Sequence, residues 1–135
     1  MTREELRRVR TLTRQLNDLK QRLVSLKYLS TSISSSWRMG IQTRGGTSKI
    51  DDILIKMEAV QAEISAAERN LIAAKNELTQ KILTAIDDPT AQTLLIIYYV
   101  ECQSFRKTAR VLNYSLRQIF RLHDKILQDV IRCNA

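Results

Sequence analysis

The sequence predicts an all-α protein: a long antiparallel helical hairpin, packed as a coiled coil, followed by a small C-terminal helical bundle. Three observations predict it. Helix-breaking residues are few and local: all three glycines (Gly40, Gly45, Gly46) fall within residues 34–49, and Pro89 is the one proline. Apolar residues on either side of the glycine segment recur at steps of three and four. After Pro89 come shorter helical patterns separated by polar turns.

The first helix is expected over about residues 3–33. Its seam is Val9, Leu12, Leu16, Leu19, Leu23, Leu26, Ser30 and Ile33, with one polar lapse. The loop is expected over 34–49. Trp37 lies there with Arg38, Met39 and Ile41, and two roles fit it: closing the hairpin tip, or docking a partner. The second helix is expected over about 50–86, with a seam from Ile50 through Ile53, Met57, Val60, Ile64, Ala67, Leu71 and Ala74 to Leu78. Past Leu78 the pattern drifts, because Lys81 takes the next seam position.

A register follows if Ile33 faces Ile50. Leu26 then meets Met57, Leu19 meets Ile64, Leu16 meets Ala67 and Leu12 meets Leu71, while Arg22 lies near Glu63 and Arg8 near Glu77. Exposed ion pairs of this kind contribute about 0–1 kcal/mol each, so they select a partner more than they stabilise it. A slip of one heptad also keeps the seam apolar, and pairing of the basic first helix with a second copy of the chain is the alternative to the hairpin.

Residues 1–87 thus form the hairpin and 88–135 a second domain. In the segment IDDPTAQTL, Asp88 can cap a new helix whose first turn accepts Pro89. That helix, about 89–101, carries Leu94, Leu95, Ile97, Tyr98 and Tyr99, so it should be the centre of the bundle. Ser104 caps the next helix. There Phe105, Thr108, Ala109 and Leu112 share one face, and Arg106, Lys107 and Arg110 the other. Asn113 then suits a left-handed turn. Ser115 caps a last helix to about Ile131, in which Ile119 and Leu122 must face inward.

This is the pattern of a helix-turn-helix, whose second helix presents its start to the major groove of DNA. Arg117, Gln118 and Arg121 are suited to base contacts, Arg with guanine and Gln with adenine. Ser115, Arg106, Lys107, Arg110 and Lys125 are suited to phosphates, adding affinity without sequence information. Net charge agrees with an acidic partner: it is +8 overall. Residues 1–48 carry ten basic against three acidic residues (+7), 49–88 five against eight (−3), and 89–135 seven against three (+4).

Other chemistries find no support in the residues. His123 is the one histidine and has no ligand-spaced neighbours, so no metal or cofactor site is expected and packing within the bundle is its role. No nucleophile–base pairing or glycine-rich phosphate loop is present, which argues against an enzyme. The pair Asp87 and Asp88 reads as helix end and cap. Cys102 and Cys133 lack metal or redox spacing and suit a reducing cytoplasm. The charged start MTREELRRVR reads as no secretory signal, and the longest apolar run, LLIIYYV at 94–100, is too short to span a bilayer.

The segment DPTAQTLLIIYYVECQSFRKTARVLNYSLRQIFRLHDKIL resembles the helix-turn-helix of sigma-factor region four. It is closer still to small phage proteins related to the ArpU and RinA late-transcription regulators. The matching residues are Asp88-Pro89, Tyr99, Ala109, Tyr114-Ser115 and Arg121-Leu122-His123. The family's turn glycine is Asn113 here, and Arg106-Lys107 stand where the family often has acidic residues. "LKYLSTSISSSW" and "IQTRGG" extend the likeness upstream. The resemblance implies a phage-encoded, promoter-binding transcription regulator in the cytoplasm of a bacterial host. A single helix-turn-helix makes few base contacts, so a dimer or a polymerase partner is expected to supplement affinity. The alternative reading is a sigma-like interaction module that grips RNA polymerase or another regulator, with DNA contact secondary.

Overall fold

The computed structural model describes the backbone of residues 1–38 and 46–133 and the side chains of residues 1–32 and 49–131. The side chain of Trp37, with the two roles expected for it, lies outside the described residues. Among the described residues the chain is entirely helical: α1 (Arg3–Arg38), α2 (Gly46–Ala85), α3 (Pro89–Leu95), α4 (Phe105–Leu112) and α5 (Leu116–Cys133). The long helices run further than expected and occupy all but 39–45 of the segment read as a loop over 34–49. Serine costs a helix only a few tenths of a kcal/mol per residue relative to the best formers, and no glycine or proline precedes Gly40. The start of α1 has a local cause. Thr2 Oγ1 accepts the Glu5 N–H (3.2 Å) and Glu5 Oε2 accepts the Thr2 N–H (3.0 Å), a reciprocal cap.

The chain divides into two compact units. The first comprises Met1–Thr13 and Asn70–Ala135, so residues on both sides of the boundary expected at 87/88 pack together. Its core includes Leu6, Val9, Leu78, Ile82, Leu94, Leu95 and Ile119, all nearly or wholly buried. The drift after Leu78 is now explained. Ile82 takes the buried place, and Lys81 turns to the edge, where its Nζ meets Glu5 at 3.1 Å and Glu77 at 3.2 Å. The Thr2 N–H and then Lys81 hold the Glu5 carboxyl below its usual range, and Glu5 and Glu77 hold Lys81 above its own. Arg8 meets Glu77 at 4.0 Å, one of the two ion pairs expected beside the seam. The pairs Glu5–Lys81 and Arg8–Glu77 run in opposite directions along α1 and α2.

The second unit is Arg14–Arg69. Leu16 and Val60 are buried, while Leu19, Leu23, Leu26, Met57, Ile64 and Ala67 are half-buried at the expected three-four spacing. Lys20 pairs with Glu68 at 3.8 Å. The Arg22–Glu63 pair expected from the register is not among the ion pairs of the described residues.

Candidate nucleic-acid interface

The candidate surface is built by α3, α4 and α5 within the first unit. Asp88 caps α3 by accepting the Ala91 N–H (3.3 Å), with Pro89 following it. The helix then widens into a π-helical turn over Ile96–Val100, and Glu101 N–H donates to the Ile96 carbonyl (2.9 Å), five residues back. Such turns are frequent at functional sites. Cys102 completes the exit in the left-handed region, at φ 56°.

Arg10 holds this exit in place. Its Nη2 donates to the carbonyls of Tyr98 (3.2 Å) and Gln103 (3.0 Å), and its guanidinium lies 4.1 Å above the Tyr98 ring. Although it belongs to the basic start of the chain, Arg10 is turned inward onto backbone carbonyls in and just beyond the π turn.

Tyr98 continues into an aromatic row. It stacks on Phe105 at 3.9 Å, and Phe105 meets Phe120 edge to face at 5.0 Å. His123 packs against Tyr98, Tyr99 and Phe105, with Nε2 2.7 Å from the Tyr99 hydroxyl. Burial pushes the Tyr99 phenol up to about 12, so it keeps its proton at neutral pH and can donate to His123. Burial also lowers the His123 pKa, against a smaller opposing pull from Asp124. The unfolded chain therefore binds this proton more readily than the fold does. Stability contributed by neutral His123 is present above the ordinary value of 6.5 and is lost as pH falls through the depressed folded value. Melting temperature is expected to fall as pH drops below about 6.5, and His123→Phe is expected to flatten that slope in a pH series of thermal melts.

The sequence-predicted turn has a local account for each residue. Ser104 Oγ accepts the Lys107 N–H (3.2 Å) and starts α4. Thr108 is fully buried and its hydroxyl donates to the Ser104 carbonyl (2.9 Å), while Ala109, also buried, is the small residue facing inward. Asn113 is left-handed at φ 58°, ψ 38°, and Tyr114 N–H closes on the Ala109 carbonyl at 3.0 Å. Ser115 then caps α5: its Oγ accepts the Gln118 N–H (3.2 Å), and Gln118 Oε1 accepts the Ser115 N–H (2.9 Å). Ile119, wholly buried, anchors α5.

All eight residues expected to touch DNA (Arg106, Lys107, Arg110, Ser115, Arg117, Gln118, Arg121 and Lys125) are exposed. Among the described residues, none of the six cations is in an ion pair. Ser104, Arg106, Lys107 and Arg110 line one shallow depression with Val111. Arg117 and Arg121 stand one turn apart on α5. Two placements differ from expectation. Gln118 has its carboxamide oxygen engaged in the cap, so the two-point approach to adenine expected of it would break that bond. Lys125 borders a separate groove of about 350 Å³, with Ile86, Ala91, Ile126 and Val130 among its walls and Asp87 and Asp129 at its edge.

Sequence reasoning missed Arg10, the π turn and the exposure of Phe120. The Ser-x-x-Gln signature of the α5 cap was present at 115–118 and could have been read. Among the described residues no helix is long and apolar enough to cross a membrane, and no three His, Cys, Asp or Glu are grouped to hold a metal ion.

Neither a curated protein nor a solved structure matches the chain. Residues 29–130, more than half of the chain, match a family described as "Protein of unknown function (DUF1492)".

Proposed function

The chain belongs to the DUF1492 family, and we propose that this member is a non-enzymatic, sequence-specific DNA-binding protein. In this reading α4 and α5 are a helix-turn-helix, α1 and α2 are an antiparallel hairpin that spaces or recruits, and the target is double-stranded DNA at a promoter. The observation that carries it is the set of exposed cations, Arg106, Lys107, Arg110, Arg117 and Arg121, grouped around a capped left-handed turn and left without acidic partners among the described residues. Unpaired cations around the start of a helix offer a polyanion both charge and open N–H groups. Arg117 and Arg121 read bases; Arg106, Lys107 and Arg110 grip phosphates, with Lys125 further along. Ser115 keeps its hydroxyl proton for a phosphate. Gln118 is reassigned from base reading to capping α5. The resemblance to phage late-transcription regulators supports a phage-encoded regulator working with bacterial RNA polymerase, as a dimer or beside the polymerase.

The groove beside Lys125 favours a second reading. Apolar walls with Asp87 and Asp129 at the edge suit a protein segment better than DNA, as an interaction module gripping RNA polymerase or another regulator would require.

A salt series separates the two. Duplex affinity is expected to fall with a log–log slope of about −3 to −4, since each neutralised phosphate contributes about −0.9. Lys107→Ala with Arg110→Ala is expected to reduce that slope by about two. Weak binding without a preferred sequence would support the interaction module instead.

A further inference from the structure

We propose that Phe120 reads the 5-methyl group of a thymine in the bound DNA, a contact that rests on the DNA-binding reading above. Phe120 is 45% exposed, although its neighbour Ile119 is wholly buried. At helical spacing it shares a face with Arg117, three residues before it, which Arg121 in turn follows by one turn. An apolar ring thus flanks the stripe that carries the two guanidinium groups aimed at base edges.

The ring is held from behind. Phe105 meets it edge to face at 5.0 Å, and Phe105 is itself stacked on Tyr98 at 3.9 Å. Tyr98 lies under the Arg10 guanidinium, 4.1 Å from its ring centroid. Phe120 therefore presents a fixed outer edge, supported by a row of rings that reaches into the core. A single exposed phenylalanine is ordinary on a protein surface. Here it stands at the border of the proposed reading face, next to Arg117, where a polar residue would otherwise be solvated. The major groove offers that edge one apolar partner, the thymine methyl, which phenylalanine contacts in direct readout.

The experiment uses the full chain and a duplex selected by it from a random pool. Each thymine of that duplex is replaced in turn by uracil, which removes only the methyl group, and affinity is measured by fluorescence anisotropy at one salt concentration. One replacement is expected to weaken binding about fourfold, the cost of losing one buried methyl group. Phe120→Ala, its helicity checked by circular dichroism, is expected to bind the thymine and uracil duplexes equally. A selected duplex whose affinity ignores every replacement overturns the thymine contact, and so does a Phe120→Ala protein that keeps the wild-type discrimination. A chain that selects no duplex at all overturns the DNA-binding reading itself.

Discussion

Arg117→Ala combined with Arg121→Ala is expected to abolish the specific gel shift of this protein while leaving its helicity intact. Each arginine that pairs in bidentate fashion with a guanine is worth about 1–3 kcal/mol of discrimination. Losing both therefore costs about 30- to 20,000-fold in specific affinity. Both side chains are exposed and neither forms an ion pair among the described residues, so the fold has nothing to lose with them. Residual non-specific binding through Arg106, Lys107 and Arg110 should survive, with its salt dependence. Measured side by side, a specific duplex and a scrambled one should converge to equal affinity. A double variant that still separates the two duplexes would refute the assignment of these arginines.

Ile119→Ala is expected to be the most damaging single truncation near the interface. Ile119 is wholly buried, and α5 packs against both α3 and α4. Truncation of a buried isoleucine costs about 2–5 kcal/mol, part transfer and part cavity. Against a typical domain stability of about 5–15 kcal/mol, this is a large share of the total. Urea unfolding followed by circular dichroism should show the midpoint fall with little change in slope. DNA affinity should fall only in proportion to the fraction unfolded, because Ile119 touches no base. A loss below about 1 kcal/mol would mean that α5 is not anchored through this side chain.

How much of this could be read from the residues depends on the range of the interaction concerned. The capping of α3 by Asp88, of α4 by Ser104 and of α5 by Ser115 was legible, and so was the left-handed Asn113. Each is settled within three or four residues by a side chain meeting its own backbone. The reciprocal caps Thr2–Glu5 and Ser115–Gln118 are equally local, and their signatures stood in the sequence. Had the second been read, Gln118 would not have been assigned to adenine. The Arg8–Glu77 pair followed from the apolar register, since heptads that share a seam carry their flanking charges with them.

The sequence by itself determined the helical class, the capped starts of α3, α4 and α5, and the exposed cationic residues of α4 and α5. These rest on glycine and proline positions, on caps, and on polarity that repeats with the helical period. Only the tertiary structure decided that Phe120 of α5 is left outside. Ile119 and Phe120 are adjacent and both apolar, yet one is buried and the other stands outside. Arg10 likewise reads as one more cation of a charged helix until Tyr98 and Gln103, some ninety positions on, bring their carbonyls to it. The physical reason is that periodicity defines the polarity of a helix only about its own axis. The angle at which that helix meets its neighbours, and the open carbonyls they leave, are supplied by residues remote in the chain.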